Sequence, residues 1–111
     1  MATTLPMAPA CALDESGAHV QLQRYRKAGE RASHITRTPR RLTIEFDERV
    51  DGELVGNLVA TERECCPFFH IEWKPRRRRL TFKVRDAEQE PALDAISWAL
   101  DPPRRTGRER A

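Results

Sequence analysis

Two stretches of this chain alternate apolar and polar residues with a period of two. In the first, Leu42, Ile44 and Phe46 alternate with Thr43 and Glu45; in the second, Leu80, Phe82 and Val84 alternate with Thr81 and Lys83. That period marks strands with one buried face. Each alternation follows a turn, Pro39-Arg40-Arg41 or Pro75-Arg76-Arg77, and each turn follows a His-Ile pair, His34-Ile35 or His70-Ile71. The offset is 36 residues before the turn and 38 after it, so the second turn is two residues longer. Each copy reads as a hairpin followed by a helix, over residues 33–66 and 70–100. Duplication and chance recurrence of short arginine-rich stretches both account for the match, and the element order is the same either way. The expected fold is α+β: a four-stranded antiparallel sheet from two ββα units, helices packed on one face, preceded by an N-terminal helix.

The helical segments follow from spacing and end signals. Residues 14–32 place Leu22, Tyr25, Ala28 and Ala32 on one stripe, with Asp14, Glu15 and Ser16 at the start and Arg24, Arg26, Lys27 and Arg31 toward the end. Asp51-Gly52 opens a second helix whose buried stripe takes in Leu54, Val55, Leu58, Val59 and one or both of two adjacent cysteines. Pro91 suits the first turn of a last helix, with Leu93, Ile96 and Leu100 inward and Trp98 flanking them. Residues 13–100 thus form one domain, between a flexible leader at 1–12 and a basic disordered tail at 101–111.

A chain of 111 residues, 39% hydrophobic and 33% charged, suits one small globular domain. No apolar run approaches the roughly 18–20 residues that cross a bilayer, so no membrane role is expected. The N-terminus lacks the basic start and long apolar stretch of a signal peptide. Three cysteines, an odd number, do not make a disulfide framework, and the expected location is the cytoplasm.

Chemistry concentrates in Glu62-Arg63-Glu64-Cys65-Cys66-Pro67-Phe68-Phe69-His70. Glu62 lies one helical turn before both cysteines. Adjacent helical side chains diverge by about 100°, so Cys65 and Cys66 do not converge while both are helical. Pro67 pushes Cys66 toward an extended conformation, which lets Cys66 swing around the helix end and His70 return toward the same pocket. Thiolates and imidazole favour soft or borderline ions such as zinc, mercury(II) or copper(I), and thiolates also take arsenite. Cys65 and Cys66 are the expected ligands, with Glu62 a weak ligand or hydrogen-bond partner, His70 an optional fourth group and Cys11 a further thiol. No organic cofactor is implied. Two other readings compete: redox sensing through a strained vicinal disulfide, with Cys11 as resolving thiol, and plain core filling by Cys-Cys-Pro-Phe-Phe.

At these residues the chain resembles a set of small uncharacterised, mostly actinobacterial proteins that share a helix ending in E-x-x-C-C-x-F-F followed by an alternating strand. Glu62, Cys65, Cys66, Phe68 and Phe69 match position by position, and the resemblance extends loosely over residues 20–100. Pro67 stands where such proteins often have serine. The resemblance implies metal handling and brings no established reaction.

The rival function classes are binding modules. Arg76, Arg77, Arg78 and Arg79 form one basic turn, with Arg40 and Arg41 in the matching one; two such tips on one edge of the sheet would grip phosphates, and Trp73 would stack on a base. The net charge of +3 is modest for a dedicated nucleic-acid binder. The excess of arginine over lysine, 17 to 3, also follows from GC-rich codon usage. An adaptor docking a protein partner on the sheet face is a further class. The sequence has no glycine-rich phosphate loop, nucleophile elbow or supported Cys66–His70 dyad, so a non-enzymatic role is favoured and enzyme status stays open.

Overall fold

The computed structural model describes residues 15–100. The elements run α1 (Glu15–Gly29), β1 (Ala32–Thr38), β2 (Arg41–Phe46), α2 (Gly52–Cys65), β3 (His70–Lys74), β4 (Arg79–Lys83) and α3 (Glu90–Leu100), with short 3-10 turns at Pro75–Arg77 and Ala87–Gln89. All four strands form one antiparallel sheet in the order β1-β2-β4-β3. The architecture is the expected α+β one. The leader with Cys11 and the tail lie outside the described residues.

The central pair, β2 and β4, joins Leu42 to Phe82, Thr43 to Thr81 and Ile44 to Leu80. Thr43 and Thr81, equivalent positions 38 apart in the recurring pattern, face each other and mark the centre of a local two-fold, about which Leu42 pairs with Phe82 and Ile44 with Leu80. Antiparallel pairing around that centre puts the two hairpin turns at opposite ends of the sheet. Thr38 and Arg41, beside the first turn, align with Lys83 and His70, whereas the second turn lies beside Lys74 and Arg79. The expectation of two arginine tips on one edge is thereby overturned: four residue steps, roughly 13 Å, separate the outer rows.

Alternation sorts the sheet faces. Leu42, Ile44, Phe46, Ile71, Leu80 and Phe82 point toward the helices and are buried. They meet Val55, Leu58 and Val59 from α2, Tyr25 and Ala28 from α1, and Leu93, Ile96 and Leu100 from α3. Phe82 links Tyr25 and Phe69 in an aromatic chain, with centroid separations of 6.5 and 5.5 Å. The opposite face carries polar residues, including His70, Glu72 and Lys74 on β3.

Two local features fix the helices. Asp51 caps α2 by accepting from the backbone N–H groups of Glu53 and Leu54 at 3.0 and 3.3 Å. α1 ends at Gly29, three residues earlier than its apolar spacing predicts, and β1 begins at Ala32 rather than Ile35. The reason is packing: a Cβ on Gly29 would run into the backbone carbonyl of Leu100, so the ends of α1 and α3 meet only because position 29 has no side chain.

Candidate metal centre

Cys65 is the last residue of α2, and Cys66 leaves the helix with φ −129° and ψ 73°. Its N–H still donates to the carbonyl of Glu62 at 2.8 Å, and its carbonyl accepts from the N–H of Phe69 at 3.1 Å. Pro67 accounts for this corner: it restricts the residue before it to non-helical conformations, as the sequence predicts. The bend brings both sulfurs toward the side chain one turn back. One ligating atom from each of Glu62, Cys65 and Cys66 lies within 4.8 Å of the others, and all three residues are buried. Both cysteines are present as thiols, and the Cys65 thiol donates to the carbonyl of Thr61 at 3.0 Å.

His70 does not join them. Ile71 and Trp73 take the helix-facing positions of β3, so the period of two sends His70 to the opposite, exposed face. The same alternation takes Trp73 off the open face and sets it edge-on against the buried Phe46, ring centroids 6.0 Å apart.

Spacing alone did not reveal what holds Glu62. Gln21 of α1 is fully buried. Its Nε2 donates to Oε2 of Glu62 at 3.2 Å and to the carbonyl of Leu58 at 3.0 Å. Its Oε1 accepts from Nη1 of Arg24 at 2.8 Å, and the same Nη1 donates to Oγ1 of Thr61 at 3.2 Å. A polar chain thus runs from Arg24 through Gln21 to Glu62. Gln21 lies four residues before Tyr25, on the stripe read as apolar, and a polar residue on such a stripe is the available signal.

The donor set fits a soft ion. With metal–sulfur bonds of about 2.3 Å, two sulfurs on one ion sit about 3.8 Å apart in a tetrahedron and about 4.6 Å apart in a line. The observed clustering is already close to that range. The three residues offer two thiolates and one carboxylate, one short of the four ligands of a closed zinc site.

The six arginines of the rival reading divide. Arg40 pairs with Glu90 at 3.1 Å and donates to the carbonyl of Arg85, Arg78 donates to the carbonyl of Phe46, and Arg79 pairs with Glu45 at 3.3 Å. Arg41, Arg76 and Arg77 are exposed. Their placement at both ends of the sheet offers no single basic groove. Among the described residues, no helix is long and apolar enough to cross a membrane.

Comparison with protein-family models, with curated proteins and with solved structures finds no match to this chain.

Proposed function

We propose that this chain is a cytoplasmic thiol protein that captures a soft metal or metalloid ion through Cys65 and Cys66, with Glu62 as third ligand. The observation that carries the reading is the convergence of a buried carboxylate on two buried thiols at one helix end. Two buried cysteines alone would serve as small apolar filler. A buried carboxylate beside them would not, because removal from water is costly without compensation. Gln21 supplies one hydrogen bond, and a bound cation supplies the balancing charge. Two thiolates satisfy mercury(II), copper(I) or arsenite more readily than zinc, which calls for a fourth ligand.

Native mass spectrometry of the reduced Cys11→Ser protein, titrated with zinc, mercury(II), copper(I) and arsenite, tests the reading. The expected result is one ion per chain, lost in the Cys65→Ser/Cys66→Ser protein. A folded protein that takes up no ion but readily forms a Cys65–Cys66 disulfide would replace the metal reading with a redox one.

A further inference from the structure

Charge is not spread evenly over the open face of the sheet. Cross-strand partners share a face, so the register lays the polar side chains out in rows. At one end His34, Glu45, Arg79 and Lys74 form a row whose charges are balanced locally. Glu45 pairs with Arg79 at 3.3 Å, and Lys74 pairs with the neighbouring Glu72 at 3.7 Å. The row at the other end is Thr38, Arg41, Lys83 and His70, and it contains no carboxylate. None of its basic side chains joins an ion pair among the described residues.

That unbalanced end borders a cleft of about 680 Å³, within the usual range for small-molecule sites. His70 and Lys83 line it, and Arg85, just beyond β4, adds a guanidinium. Asp86 is the one carboxylate in the lining, so two permanent cations face one anion there. Gln89 contributes a further donor. Its Oε1 accepts from the backbone N–H groups of Arg85 and Asp86, both at 3.3 Å, which fixes the amide orientation and leaves Nε2 to donate. The other wall, with Phe68 and Phe69, is apolar. Phe69 is buried and set edge-on against Phe82, and the half-buried Phe68 ring lies on Phe69 with centroids 4.7 Å apart. We infer that this cleft binds a small organic anion with a flat apolar body, an aryl phosphate or aryl carboxylate. Its ring lies against Phe68, and its head takes charge-assisted hydrogen bonds from Lys83 and Arg85 and a further one from Gln89. The surplus of positive charge sets the sign of the ligand, and the aromatic wall sets the nature of its body. Glu62, Cys65 and Cys66 are not in the lining, so this site is separate from the thiols and independent of metal capture.

Amide NMR titration of the reduced full-length protein with phenyl phosphate and with benzoate tests this, beside inorganic phosphate and benzylamine. The expected result is a set of shifts confined to residues 68–70 and 83–89, with a dissociation constant of about 1 mM for the tighter aryl anion. Which of the two binds tighter identifies the head group. Inorganic phosphate, which lacks the ring, should bind about tenfold more weakly than phenyl phosphate, and benzylamine should leave these residues unmoved. Lys83→Gln/Arg85→Gln should weaken the aryl anions about tenfold, and Lys83→Arg/Arg85→Lys should retain them. The amide spectrum of each variant reports at the same time that it is folded. Benzylamine binding as well as the aryl anions would overturn the assignment. So would shifts that spread over Arg76 and Arg77 and survive removal of the two charges, or no shift from either aryl anion at about 10 mM, ten times the expected constant.

Discussion

Gln21 is the residue on which the site most depends without being a ligand in it. It comes from a different helix, and its amide sets where the Glu62 carboxylate sits relative to the sulfurs. Partners that orient a ligand are typically worth about 10–100-fold in metal affinity. Gln21→Leu puts an apolar side chain of similar size on α1 and removes the donor. Zinc affinity should then fall by about that factor, while mercury(II), satisfied by two thiolates, should fall much less. Competitive titration against a chelator would measure the ratio. Equal losses for both ions would mean that Gln21 acts only through packing. The cysteines, Glu62 and the cornering effect of Pro67 were legible in the sequence, because i,i+3 and i,i+4 spacing and the conformational bias before proline are local rules. The exclusion of His70 was not, since it depends on strand phase: one residue of register decides which face an imidazole occupies. Gln21 was hidden for another reason: its partner lies 41 residues away in sequence and on another helix.

Among the elements, α2 carries the site, and its two ends do different work. The Asp51 cap satisfies N–H groups at the start, and the Cys66 corner turns the chain into β3 at the end. Asp51→Ala should destabilise the fold by about 1 kcal/mol in denaturant titration. Ion affinity should barely move, because the cysteines are at the far end of the helix. A large loss of affinity would show that the helix frays as a unit and that the site is coupled to the cap. The strands were readable from period-two alternation. The start of β1 was not, because the end of α1 is set by the close approach of Gly29 to α3, a tertiary contact that no helix propensity encodes. Gly29→Ala forces those helix ends apart, so it should cost about 1–3 kcal/mol. Since α1 carries Gln21, it should also weaken zinc binding. Thermal unfolding and chelator competition on the same variant would check both effects; an unchanged midpoint would contradict the packing account.

In the whole molecule, the two hairpin-plus-helix units meet around the Thr43–Thr81 pair, and α1 lies against both α2 and α3. The sequence pattern shows the two units but not how they pair. Joining them through β2 and β4 rather than through the outer strands makes the arginine turns diverge, which argues against a shared basic groove. Within the second hairpin, His70, at the start of β3, pairs with Lys83, at the end of β4, and both line a cleft beside Phe68 and Phe69.

The central claim is that one soft ion is held within a single chain by Cys65 and Cys66. X-ray absorption at the metal edge of mercury(II)-loaded Cys11→Ser protein, at one equivalent, tests it most directly. The account predicts two sulfur neighbours per ion, and none in the Cys65→Ser/Cys66→Ser protein. A single sulfur neighbour, or two sulfurs that appear only in a species containing two chains, would contradict it.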